Sequence, residues 1–149
     1  MIEALGDLNA SLALAAAGSA LGTGAAGMAA IGAWKKAFAR NEAAPFILVA
    51  FVGAPLSQTI YGMILRNAIK TSADAGLMPA GSSWHLLILG ILAGLAMGMS
   101  AWMQGKAGAK ACDALAETGQ GFGNYIMVLG VIETVALFVM VFSMTALPR

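Results

Sequence analysis

Charge is what this sequence most lacks. Only 10% of its 149 residues are Asp, Glu, Lys or Arg, while 60% are hydrophobic. A soluble domain is usually about 25% charged and about 45–50% apolar. A chain of this size cannot hide that much apolar surface within itself, so the bilayer is the expected solvent. The net charge is +1, which argues against a nucleic-acid partner held by phosphate contacts. The lone Cys112 excludes an intrachain disulfide. Together with the lone His85 it cannot make a zinc set either. The stretch "GKAGAK" fails as a phosphate loop, because Ser100 stands at the first glycine position and Ala107 follows the lysine. The opening "MIEALGDLNA" has no Lys or Arg for a signal-peptide n-region, so the first apolar run is expected to be retained.

The few charges divide the chain. Residues 8–34, 43–65 and 75–105 carry none, and 118–148 carry only Glu133. A spanning helix needs roughly 20 apolar residues, so each run holds one helix. The expected spans are about 10–34, 43–66, 84–107 and 121–146, joined by "KKAFARNE", "RNAIKTSADAGLMPAGSS" and "KAGAKACDALAETGQ". The expected architecture is an all-α membrane protein of four transmembrane helices in two tandem antiparallel hairpins, with both termini on one side. The first and third connections hold Lys35, Lys36, Arg40, Lys106 and Lys110, and the middle one Arg66 and Lys70. This bias puts the first and third connections in the cytoplasm and the termini on the non-cytoplasmic side. Trp34 and Trp84, near span ends, fit interfacial anchors. His85 reads as interfacial, and Trp102 has no assignment.

The halves look like copies, residues 1–74 and 75–149. "SQTIYGMI" sets Gln58-Thr59 against Glu133-Thr134 in "IETVALFV", and Ala26-Gly27 falls opposite Gln104-Gly105. The first helix of each copy is lined with small residues: Gly18, Gly22, Ala26, and then Gly90, Gly94, Gly98. Such a face lets neighbouring backbones approach closely. It suits a closed ring of hairpins with small helices inside and bulky ones outside. It also suits ordinary packing within one four-helix bundle.

Glu133 sits near the middle of its span. A charge there costs several kcal/mol, roughly 2.5–3.5 on insertion scales. No Lys or Arg lies at its depth, so neutrality must come from a proton or a bound cation. A protonated glutamate bridging two helices is the structural alternative. Gln58 lies at similar depth, with Ala54, Ser57 and Tyr61 close by on the same helix. Pro55 lacks an N–H and frees a carbonyl one turn earlier. Gln104 stands as far before its connection as Glu133 stands after it, so the two can meet. A hydroxyl, two amide oxygens, a carboxylate and a carbonyl form the oxygen set that hard cations take. A proton needs less, so Na⁺ is the expected ion. Interhelical hydrogen bonding is the plainer reading of either glutamine alone.

At "PLSQTIYG", "MQGKAGAKA" and "VIETVALF" the sequence resembles the membrane-rotor proteolipid (K-type or c-type) of V-type and A-type rotary ATPases, in its duplicated-hairpin form. The resemblance covers nearly the whole chain. It implies a Na⁺ site made by Ser57, Gln58, Gln104, Glu133 and the backbone carbonyl of Ala54, with Tyr61 hydrogen-bonded to Glu133. H⁺ is the alternative cargo. It also implies a ring of identical subunits around a lipid-filled centre. A stator subunit would supply an arginine, and central-stalk subunits would grip the cytoplasmic loops. ATP chemistry would lie on other subunits, leaving this chain no catalytic site of its own. Two rivals remain: a small four-helix proton-coupled multidrug exporter, and a structural membrane protein assembled through its glycine faces.

Overall fold

The computed structural model describes residues 6–77, 79 and 81–148. Four helices are long and apolar enough to cross a membrane. They are α1 (Ala10–Ala39), α2 (Phe46–Asp74), α3 (Ser83–Thr118) and α4 (Phe122–Thr145). The protein is an all-α, multi-pass integral membrane protein. Large apolar side chains lie open on its surface, with Phe46 79% and Trp84 70% exposed. Patches of that extent need lipid or protein against them.

The first three helices outrun the expected spans. α1 continues past Trp34 to Ala39, α2 past Arg66 to Asp74, and α3 past Ala107 to Thr118. Lys35, Lys36, Lys106 and Lys110, expected in connections, are therefore helical. The physical reason is that charge ends a membrane span but not a helix: Lys, Ala and Glu are good helix formers. With 30 and 36 residues, α1 and α3 are about 45 Å and 54 Å long, well beyond a hydrocarbon core of about 30 Å. Lys36 reaches Asp113 at 3.8 Å and Glu117 at 3.6 Å, bridging the two overhanging ends. The turn into α4 is only residues 119–121, and it works because Gly119 and Gly121 take left-handed backbone (φ 66 and 88).

The most extensive packing joins α1 to α3. The glycine stripes explain why. Gly18 lies on the backbone of Gly98, Gly22 on Ala101 and Gly105, and Gly94 on Ala10 and Ser11. A Cβ at Gly18 or Gly22 would fall on backbone atoms of α3. The stripes are thus filled inside one protomer, as in ordinary bundle packing. They do not by themselves call for neighbouring copies.

The other two helices flank this pair. α2 crosses α1 with Gly62 against Ala15 and Pro55 against Gly22. Pro55 sits in a 3-10 turn, Ala54–Leu56, between two α-helical stretches. The carbonyl one turn before it, that of Phe51, lies against Gly108 of α3.

The N-terminal end has its own lock. Asp7 is buried and accepts from the Asn9 N–H at 3.1 Å, the Ser11 N–H at 3.0 Å and the Ser11 hydroxyl. These bonds satisfy donors that the first turn of α1 would otherwise leave open. Asn9 accepts from Arg66 Nε at 2.6 Å, tying the start of α1 to α2. At the opposite end, Trp34 Nε1 donates to the Pro45 carbonyl at 2.9 Å, so Trp34 ties α1 to the start of the next span. Trp102 takes Lys106 over its ring at 5.0 Å, an arrangement that gives it a role the sequence did not supply.

Candidate functional site

Midway along α4, Glu133 faces α2 and α3. Its Oε1 accepts from Tyr61 Oη at 2.6 Å, and its Oε2 from Gln104 Nε2 at 3.3 Å. Each carboxylate oxygen therefore has one donor. Among the described residues the ion pairs are Lys36–Asp113, Lys36–Glu117 and Lys70–Asp74, and Glu133 is in none of them.

Gln104 is the hub. It is fully buried. Its Nε2 also donates to the Leu129 carbonyl at 3.0 Å, and its Oε1 accepts from Gln58 Nε2 at 2.8 Å. Gln58 is equally buried, and its Oε1 accepts from the Ser57 hydroxyl at 3.2 Å. The same hydroxyl lies 3.1 Å from the Ala54 carbonyl, so its one proton is shared between these two acceptors. One continuous path thus runs from the Ala54 carbonyl through Ser57, Gln58 and Gln104 to Glu133 and Tyr61. All six groups named from the sequence come together, from three helices.

Local structure accounts for the meeting. The 3-10 turn delivers Ser57 and Gln58 directly after Pro55. Gly105 and Gly108, next to Gln104, draw α3 against Gly22 and Phe51. The short Gly119–Gly121 turn folds α4 back so that Glu133 returns to the level of Gln104. A further tether went unread in the sequence: Ser100 Oγ donates to the Ile132 carbonyl at 2.8 Å. Its signal was available, since Ser100 precedes Gln104 by four residues and shares its face.

The arrangement offers oxygen from a carbonyl, a hydroxyl, two amides and a carboxylate; the Ala54 carbonyl, the Ser57 hydroxyl and Gln58 Oε1 stand successively 3.1 and 3.2 Å apart, while the links on to Gln104 and Glu133 run through amide nitrogens. Oxygens around a hard cation held at about 2.3–2.6 Å stand at comparable separations. The donor chemistry fits a cation and equally permits a proton on Glu133.

Residues 87–146 match the family model of the ATP synthase c-subunit. The α3–α4 hairpin is c-subunit-like. The matched stretch includes Gln104 and Glu133, while Ser57, Gln58 and Tyr61 lie before it. A comparison with curated proteins gave no match.

Proposed function

We propose that the chain is an ion-carrying rotor-ring subunit of a V-type rotary ATPase, and that residues 1–74 and 75–149 are two copies of one c-subunit-like hairpin. The observation that carries this reading is the path of hydrogen bonds from Ala54 to Glu133 at mid-span. The family match on the second hairpin supports it. Glu133, Gln104, Gln58, Ser57 and the Ala54 carbonyl take up Na⁺, and Tyr61 steadies the carboxylate. The occupied site is electrically neutral, so it can turn through lipid without the cost of a bare charge. At the stator an arginine displaces the ion. Identical protomers close the ring, and central-stalk subunits grip the ends of α1 and α3. ATP hydrolysis belongs to other subunits. The termini lie on the non-cytoplasmic side.

Na⁺ and H⁺ neutralise the same carboxylate, so they compete. A hydrophobic carbodiimide reacts with the protonated acid. Its labelling of Glu133 falls as Na⁺ rises at fixed pH, K⁺ has little effect, and the Na⁺ needed increases as pH drops. Labelling that follows pH but ignores millimolar Na⁺ would make H⁺ the cargo. Size in mild detergent separates the exporter reading: a rotor gives a large, stable homo-oligomer, an exporter a dimer. Single cysteines at the exposed Ala39 and Ala75, labelled from each side of sealed vesicles, test the orientation. Ala39 reactive from the non-cytoplasmic side would reverse it.

A further inference from the structure

Among the described residues, two buried side-chain oxygens have no hydrogen-bond partner: Ser19 Oγ and Thr23 Oγ1, both on α1. Ser19 is only 2% exposed. Such hydroxyls in a helix usually bond the carbonyl one turn back or face water. A buried one that does neither calls for a reason.

Close contacts fix their level. α1 and α2 run antiparallel, with Ala15 against Gly62 and Gly22 against Pro55. Ser19 lies between Ala15 and Gly22, so it stands level with the middle of the stretch from Pro55 to Gly62, which is Gln58. Thr23 follows Gly22 and stands level with Ala54 and Pro55. On the other side, Gly22 touches Ala101 and Gly105, the neighbours of Gln104. The two free hydroxyls therefore lie at the height of the candidate site, on its α1 side.

Gln58 gives them a use. Its Nε2 donates to Gln104 Oε1 at 2.8 Å. A cation that takes Gln104 Oε1 and Gln58 Oε1 together repels an N–H aimed at the same oxygen. The Gln58 amide then turns, its oxygen faces the ion, and its Nε2 needs another acceptor in a dry interface. We propose that Ser19, backed by Thr23, is that acceptor: the pair are positioning residues that hold the Gln58 amide oxygen towards a bound monovalent cation. Their lack of partners belongs to the arrangement in which Gln58 still donates to Gln104. This inference rests on the cation-binding reading of the site.

The test is carbodiimide labelling of Glu133 in membranes carrying the assembled full-length chain, titrated with Na⁺ at fixed pH. Ser19→Ala and Thr23→Val should each raise the Na⁺ needed for half-protection about threefold to tenfold, the worth of one net hydrogen bond. Thr23→Ser keeps the hydroxyl and should stay near wild type. Without Na⁺, the rate of labelling and its pH dependence should be unchanged in all three, because the protonated site does not need the turned amide. A merely structural hydroxyl would move both readouts or neither. Wild-type-like Na⁺ protection in Ser19→Ala and Thr23→Val overturns the proposal, as does a Na⁺-free pH profile that shifts in step with protection. Labelling of the wild type that is blind to Na⁺ sinks the cation reading and this inference together. Protection in the wild type with no effect of the variants sinks this inference alone.

Discussion

α1 and α3 meet backbone to backbone along their seam, α2 meets them so only at Gly62 and at the Phe51 carbonyl, and α4 meets the bundle through side chains. In α3, 44% of the central membrane stretch is buried; in α4 the figure is 17%. The inner pair is made of small residues and spends its contacts on its own partner. α4 is made of large residues, and Val131, Val135, Phe138 and Phe142 remain exposed. Apolar composition alone therefore does not say which helix is central. Side-chain size does, because only residues without bulk let two axes come close. The polar cluster bridges the two kinds of helix, with Gln104 from the tight pair and Gln58, Tyr61 and Glu133 from the flanking ones.

The largest effect should come from filling the inner seam. Gly22→Leu or Gly18→Leu places a side chain on α3 backbone and should prevent a folded protomer, beyond the roughly 1–3 kcal/mol of ordinary overpacking. Gly24→Leu and Gly32→Leu enter open space within the protomer and should leave its fold intact. Size-exclusion profiles and thermal unfolding in mild detergent separate the two pairs, and a well-behaved Gly22→Leu would break the contrast between seam and flank.

Next comes the bridge. Gln104→Leu strands Gln58 Nε2, at about 1–3 kcal/mol for a buried group. Na⁺ protection of Glu133 should fall at least tenfold, while the acid stays reactive to carbodiimide. Glu133→Gln should remove labelling altogether. Tyr61→Phe deletes one donor to the carboxylate and should weaken Na⁺ protection by several-fold, as bonds to charged groups are the stronger kind. Equal sensitivity of Tyr61→Phe and Gln104→Leu would mean that Gln104 is no hub. The smallest effect belongs to the overhang. Lys36→Ala removes two exposed ion pairs, each worth at most about 1 kcal/mol, so thermal stability in detergent should barely change. A large drop would show that the overhanging ends hold the seam together.

Much of this was legible from residues. Three uncharged runs and a fourth carrying only Glu133 marked four helices, and the depth of Gln58, Gln104 and Glu133 along their runs was enough to bring them together. The helix ends were not legible, since Lys35–Lys36 and Lys106–Lys110 end an uncharged run without ending the helix. The use of the glycine stripes was not legible either. Gly-x-x-x-Gly spacing records that something comes close, and Gly98 or a second copy would write the same pattern. Nothing in the sequence marks Asp7 as a buried cap. Its burial depends on Gly90 of a distant helix making room for it, which no local pattern carries. The level of Ser19 and Thr23 beside Gln58 and Ala54 is not legible for the same reason.

The interlocked glycines also set how the molecule can deform. With Gly18 seated on Gly98 and Gly22 on Gly105, a slide of one residue along the seam would drive a side chain into backbone, so α1 and α3 behave as a keyed axle. α4 has no such key. It joins α3 through a three-residue turn, is held at mid-height by Ser100, Gln104 and Tyr61, and is tied beyond its far end where the Ser72 hydroxyl donates to the Pro148 carbonyl at 3.2 Å. The hold on the helix that carries Glu133 is thus made of side-chain hydrogen bonds and not of a backbone key, so a shift of α4 meets bonds that can re-form before it meets interlocked backbone.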